Sequence, residues 1–138
     1  MLLVGLPASG KSTYAAILPV LSSDAIRLLL ADNDDDQTIH SRVFATLRYL
    51  LVQRLEIGRP VTYIDATHLT RAERKPYVEI AQEHHVQIEA VFFDTPLDVC
   101  LKRNRQRTRQ VPEDVLVTMA AKLQPPAYDE GFSRIETK

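Results

Sequence analysis

The chain opens Met1-Leu2-Leu3-Val4-Gly5-Leu6-Pro7-Ala8-Ser9-Gly10-Lys11-Ser12-Thr13. Residues 1–4 are uniformly apolar and read as a buried strand, and residues 10–18 read as a helix stopped near Pro19. Between them, Gly5 to Ser12 follow the spacing G-x-x-x-x-G-K-[ST] of the P-loop. Each part of that spacing has a physical purpose. The glycines let the backbone turn with its N–H groups inward, which makes a cradle for phosphate oxygens. Lys11 is a mobile charge able to follow β- and γ-phosphates, and Ser12 offers a hydroxyl to Mg²⁺. The helix beginning near Gly10 aims its positive end at the anion. Gly5, Pro7, Ala8, Ser9, Gly10, Lys11, Ser12 and Thr13 are therefore the candidate nucleotide-binding residues.

The rest of the chain repeats the alternation of short β-like runs and helical ones, which is the pattern of α/β architecture. Residues 20–22 read as a strand, 24–31 as a helix and 32–37 as a loop. Thr38 is the expected N-cap of a helix carrying Ile39, Val43, Phe44, Leu47, Leu50, Leu51 and Leu55 at helical spacing, closed by Gly58 and Pro60. Residues 61–64 form a strand ending at Asp65, and Thr70-Arg71-Ala72-Glu73 is a capping box opening a helix to about His84. Residues 86–93 form a strand ending at Asp94, and Thr95-Pro96 starts a helix to about Arg107. Pro112 opens a last helix with Val115, Leu116, Met119, Ala120 and Leu123 on one face, and residues 132–136 form a final short strand.

Composition narrows the class. The 138 residues predict one domain over 1–138, with 45% apolar and 25% charged residues. No run approaches the ~18 uncharged apolar residues of a membrane span. The net charge of −1 argues against whole-surface attraction to nucleic acid, leaving only local patches. A single cysteine, Cys100, excludes an intrachain disulfide and cysteine-rich zinc sites, and reads as a small buried apolar residue. With no signal-like N-terminus, a cytoplasmic protein is expected.

Three further clusters bear on chemistry. Asp24 and Arg27, at i and i+3 after the second strand, share one face of a helix's first turn. The C-terminal strand ends of a parallel sheet form the ligand crevice, so this pair faces the nucleotide. A helix N-terminus suits a carboxylate there, and Asp24 is placed to take a proton from an attacking hydroxyl. The same spacing is also what a helix-stabilising Asp beside a solvated Arg would show. Next, the strand ending in Asp65-Ala66-Thr67-His68 sets a carboxylate where such enzymes hold Mg²⁺, with Thr67 and His68 in the same crevice, although a strand-ending turn residue at Asp65 and a polar loop residue at His68 would show the same pattern. His40, His84 and His85 read as surface groups. Lastly, Lys102 to Arg109 holds five basic residues in eight. Such a run is ordinarily a solvated face, but beside a P-loop it reads as a lid supplying cations to a transferring phosphoryl group, with Arg103 and Arg107 projecting together. The acidic run Asp32-Asn33-Asp34-Asp35-Asp36 lacks the glycine and distal glutamate of a calcium loop and reads as a solvated loop. The absence of an N-K-x-D motif argues against a Ras-like GTPase.

These residues resemble the 5′-hydroxyl kinase domain of phage and bacterial polynucleotide kinases. The matching blocks are GLPASGKST (5–13), SSDAIR (22–27), YIDATHLTRAERK (63–75) and LKRNRQRTRQVPEDVL (101–116). The pattern is also similar to small AAA-type ATP-binding proteins called predicted kinases, whose relatives act on sugars, antibiotics or modified RNA. The resemblance implies an adenylate-kinase-like P-loop NTPase core, a three-layer α/β/α fold with a parallel sheet and an arginine lid. It implies that Asp24 activates the acceptor hydroxyl, that Arg27 holds an acceptor phosphate with Thr67 close by, and that Arg103 and Arg107 belong to the lid, Arg107 touching the donor phosphates. His68 stands where relatives often carry Asn.

The leading expectation is an ATP-dependent, Mg²⁺-dependent kinase. Lys11, Asp24, Arg103 and Arg107 are its catalytic residues, Arg27, Thr67 and His68 bind the acceptor, and Ser12 with Asp65 places the metal. A polynucleotide 5′-hydroxyl is the first acceptor, with RNA or DNA repair partners. A small-molecule hydroxyl is the alternative, and a nucleotide-binding module with little catalysis is the third reading.

Overall fold

Leu2, Leu3 and Val4 are wholly buried, and they form the central strand β1 (Leu2–Val4). The computed structural model describes residues 1–138. β1 is flanked by β3 (Tyr63–Asp65) and β4 (Glu89–Phe92), with β2 (Val20–Ser22) outside β3 and β5 (Arg134–Thr137) outside β4. All five strands are parallel, in the order β2-β3-β1-β4-β5. Alternate side chains of β1 serve opposite faces, as a pleated strand requires. Leu2 and Val4 join the main core with Ile26, Val43, Leu47, Leu51, Tyr77 and Val78. Those partners lie on α2 (Ser23–Ala31), α3 (His40–Ile57) and α4 (Arg71–Glu83). Leu3 packs on the other side, with Ala15 of α1 (Lys11–Ala15), Val91 and Phe93. A third cluster of Leu6, Leu69, Cys100 and Leu116 ties in α5 (Leu97–Arg105) and α6 (Glu113–Lys122). The result is helix, sheet, helix in layers, with Cys100 buried as its composition suggested.

Local signals explain most boundaries. Thr70 and Glu73 make the reciprocal capping box, and Gly58 ends α3 at φ 84°. Several boundaries differ from the sequence expectation. β4 begins at Glu89 rather than residue 86, since the Val86 N–H turns back to the Ala81 carbonyl at 3.0 Å. Thr38 does not cap α3. Asp36 accepts the Thr38 N–H at 2.9 Å and caps a 3₁₀ turn (Gln37–Ile39) that runs into His40. A carboxylate is the stronger acceptor, so it wins the cap position. α1 stops at Ala15, its continuation loosening into turns before Pro19. The third strand begins at Tyr63 rather than residue 61, and before it the Val61 carbonyl accepts from Arg54 Nη2 at 3.0 Å instead of from a neighbouring strand. It also includes Asp65, in register with Leu3 and Ser22. The last strand sits at Arg134–Thr137, one to two residues beyond the expected run. No helix is long and apolar enough to cross a membrane.

Candidate active site

The C-terminal ends of β1, β2 and β3 open into a cavity of about 880 Å³. It gathers Pro7, Ala8 and residues 10–13 of the loop after β1, the start of α2, the turn over residues 65–67 and the loop after α5, while Gly5 and Ser9, expected among the nucleotide-binding residues, do not line it. The loop after β1 is shaped by two glycines. A Cβ on Gly5 would meet Ser9 Oγ at 2.8 Å and the Phe93 carbonyl oxygen at 3.0 Å, so the close approach of two backbones excludes any side chain. Gly10 caps α1 at φ 109°, a left-handed conformation that favours glycine. Lys11 is buried, and its Nζ donates to the Gly5 carbonyl (2.8 Å) and the Leu6 carbonyl (2.7 Å). The ammonium is thus folded onto the loop's own oxygens, where phosphate oxygens are stronger acceptors. Burial lowers its pKa to about 8, against the pull of Asp65.

Ser12 Oγ donates to Asp65 Oδ2 at 3.0 Å, bringing the P-loop hydroxyl and the β3 carboxylate together. Burial pushes the Asp65 carboxyl above its usual range, opposed by Lys11 and by the Ser12 hydrogen bond. One hydroxyl and one carboxylate form a hard-oxygen set of the kind Mg²⁺ accepts, since that ion completes its shell with water and phosphate oxygens. No group of three or more His, Cys, Asp or Glu side chains offers an all-protein cage instead. The residues therefore fit Mg²⁺ brought with a nucleotide.

Asp24 lies in the first turn of α2, and the Ser22 hydroxyl caps that helix by accepting from the Ala25 N–H at 3.3 Å. Arg27 donates from Nη1 to Asp24 Oδ1 at 3.2 Å. It is only 4% exposed yet lines the cavity, and its Nε is buried without a partner. A buried guanidinium with an unused donor is an arrangement that an anionic ligand completes.

Thr67 lines the same cavity, its carbonyl accepting the Gly5 N–H at 3.1 Å. His68 does not line it, contrary to the sequence expectation. A left-handed turn at φ 48° swings it under the sheet, 2% exposed, with Nδ1 at 2.8 Å from the Leu3 carbonyl and its ring edge-on to Tyr77. Burial lowers its pKa to about 4, so it is a neutral core group. His40 is exposed as expected, but it stands at the cavity mouth against Phe44, ring centroids 4.7 Å apart.

The basic run divides. Arg103, Arg107 and Arg109 line the cavity, whereas Arg105 pairs outward with Glu113 and Lys102 is exposed. Arg103 Nη1 reaches the Ser9 carbonyl at 3.5 Å, and Thr95 Oγ1 donates to the same oxygen at 2.9 Å. Helix α5 ends at Arg105, so Arg107 sits on a loop rather than a continued helix. That loop is shaped by Asn104, which is 1% exposed. Its Nδ2 donates to the Val111 carbonyl (2.7 Å) and its Oδ1 accepts the Val111 N–H (3.0 Å). Sequence reasoning missed this clamp and also missed Arg109. Arg109 reaches Asp24, Asp34 and Asp35, so the acidic run is tied to the loop after α5 instead of being merely solvated. The only sequence signal for that pairing is the acidic run in a chain that also carries a basic one.

Comparison with known proteins places this geometry. The profile of AAA_33, described as an AAA domain, matches residues 1–126. The chain is similar to the L-seryl-tRNA(Sec) kinase of Methanococcus maripaludis, at 26% identity over 137 residues, covering 91% of this chain and 52% of that protein. It is also similar to the bifunctional polynucleotide phosphatase/kinase of Schizosaccharomyces pombe, at 26% identity over 141 residues, covering 99% of this chain and 32% of that protein. It thus spans about half the length of the first relative and about a third of the second. Among solved structures, a chain of the Pnkp1/Rnl/Hen1 RNA repair complex superposes with a TM-score of 0.75 at 24% identity, over 89% of this chain and 43% of that one. A gluconokinase from Sinorhizobium meliloti 1021 superposes at 0.66 with 21% identity, over 99% and 79%. The fold is that of P-loop kinases.

Proposed function

We propose that this chain, which belongs to the AAA_33 family of AAA domains, transfers the γ-phosphoryl group of ATP to a hydroxyl acceptor. One observation carries the reading: the P-loop, the Asp24–Arg27 pair and three lid arginines all line a single cavity. A module that only bound nucleotide would not need a carboxylate on the acceptor side.

The roles follow from position. Lys11 and the loop backbone bind the β- and γ-phosphates. Ser12 and Asp65 would hold Mg²⁺, which when bound neutralises charge on the phosphate oxygens. Asp24 accepts the acceptor's proton as the acceptor oxygen bonds to the γ-phosphorus and the bond to the β–γ bridging oxygen breaks, releasing ADP. Arg107 and Arg103 stabilise negative charge on the moving group. Phosphoryl transfer is loose, so positioning and charge supply most of the rate.

The favoured acceptor is a polynucleotide 5′-hydroxyl. The unpartnered Nε of buried Arg27 suits an acceptor that carries its own phosphate. The names of both curated relatives, a seryl-tRNA kinase and a polynucleotide kinase, point to nucleic-acid-borne hydroxyls. An RNA repair assembly is the partner setting this reading favours. A cytoplasmic setting, with its ATP, agrees with it. One feature favours the small-molecule alternative: Asp35 lines the mouth beside Asp34 and would repel a long polyanion. An acceptor panel with γ-labelled ATP separates the two. Label on a 5′-hydroxyl oligonucleotide, weakened steeply by salt, supports the first. Label only on small sugars or amino alcohols overturns it in favour of the second.

A further inference from the structure

Two arginines divide the Asp24 carboxylate. Oδ1 accepts from Arg27 at 3.2 Å, and Oδ2 lies 3.3 Å from Arg109 Nη1. Arg109 comes from the lid, two residues beyond Arg107, and reaches across the cavity mouth to the loop between α2 and α3. There its Nε donates to Asp35 Oδ1 at 2.6 Å, and its Nη1 stands 3.5 Å from Asp34 Oδ2. That loop is held by contacts of its own. Asn33 Oδ1 accepts the Asp35 N–H at 2.9 Å, Asp36 caps the following turn, and Asp32 closes α2 in a left-handed conformation. Asp34 and Asp35 therefore form a prepared receptor for a cation from the lid.

We infer that Arg109 is an acceptor gate: it occupies the Asp24 oxygen that must take the acceptor's proton, and the acidic loop retains it there until an acceptor displaces it. This deepens the proposed function and rests on Asp24 being the acceptor-side carboxylate. The gate addresses a hazard common to kinases, which is loss of the phosphoryl group to water. Without the gate, a water oxygen bonds to the γ-phosphorus, the β–γ bridging bond breaks, and the water proton passes to Asp24 and then to solvent. The products are ADP and inorganic phosphate. With Arg109 on Oδ2, that position at Asp24 is filled. Each ion pair in the latch is partly exposed, and such pairs are individually weak. The latch is thus weak enough for an acceptor to open.

The test needs no knowledge of the acceptor. ATP hydrolysis without acceptor is measured for wild type, Arg109→Gln, the double variant Asp34→Asn/Asp35→Asn, and Arg109→Gln/Asp24→Asn. ATP affinity is measured by calorimetry alongside. The gate predicts that Arg109→Gln and the Asp34/Asp35 variant each raise hydrolysis about five-fold, the scale of one weak ion pair. It also predicts that adding Asp24→Asn removes the rise, which a general loosening of the lid would not do. Unchanged or reduced hydrolysis in the first two variants, with ATP bound normally, overturns the gate and leaves the kinase reading standing. A rise that survives Asp24→Asn overturns it equally. Failure of wild type to bind ATP overturns the gate and the proposed function together.

Discussion

Replacing Asn104 with alanine should unfasten the lid while leaving the nucleotide cradle intact. The Asn104 side chain makes two hydrogen bonds, both to Val111, and these join the ends of the loop that carries Arg107 and Arg109. A buried hydrogen bond contributes about 1–1.5 kcal/mol net, so deleting both removes about 2–3 kcal/mol. Val111 is only half-buried, so water can satisfy its freed backbone groups and the loss should not exceed that range. If the loop remains coupled to the global fold, the loss lowers Tm by roughly 6–12 °C. If the loop opens alone, Tm moves little and amide exchange at Val111 accelerates by roughly 30-fold or more. In both cases Arg107 loses its fixed position, and turnover should fall at least about ten-fold with ATP affinity nearly unchanged. Urea denaturation, hydrogen exchange at residues 105–111 and acceptor-dependent phosphoryl transfer on one preparation read all three quantities. Wild-type exchange at Val111 together with wild-type turnover would refute the reasoning.

Four other outcomes are expected. Arg107→Ala should lower turnover by about 10³ while leaving the denaturation curve unchanged, because its guanidinium faces the cavity. Lys11 has a folded pKa of about 8 against an ordinary 10.5, so between those values the unfolded chain holds a proton that the folded one has shed. Stability should therefore rise with pH across that window, by an amount on the order of 3 kcal/mol, and Lys11→Met should flatten the rise. For the same reason ATP binding near pH 8.5 should take up a proton, seen as a buffer-dependent heat in calorimetry. His68 is held neutral down to about pH 4 against an ordinary 6.5. The unfolded chain protonates first as pH falls, so stability should be lost from about pH 6.5 down to 4 and His68→Gln should flatten that acid limb.

The parts of the site that were legible in the sequence are those whose geometry is set within a few residues. The phosphate cradle needs glycines at Gly5 and Gly10 and a lysine one position on, so its spacing is visible in any reading. The capping box at Thr70 and the carboxylate at the end of β3 follow from equally local rules. His68 was misplaced because the direction of a residue after a strand depends on the turn that follows, here a left-handed one. Arg109 and the acidic loop were missed for a different reason. Their pairing spans 74 residues and depends on how the lid loop curls, which the Asn104 clamp determines. No periodicity records a side-chain amide bonded to a backbone seven residues away. Charge runs on both sides were visible, but opposite charge alone does not specify which arginine turns inward.

The central claim is that Asp24 serves an acceptor across from a bound ATP. Transfer of label from γ-labelled ATP to a 5′-hydroxyl oligonucleotide should be followed for wild type and Asp24→Ala side by side, with ATP affinity measured for both. The account predicts labelled oligonucleotide with wild type, a loss of about 10² or more in the variant, and similar ATP affinity for the two proteins. Equal transfer by Asp24→Ala would contradict it, and no transfer by a wild-type protein that binds ATP would contradict the polynucleotide acceptor.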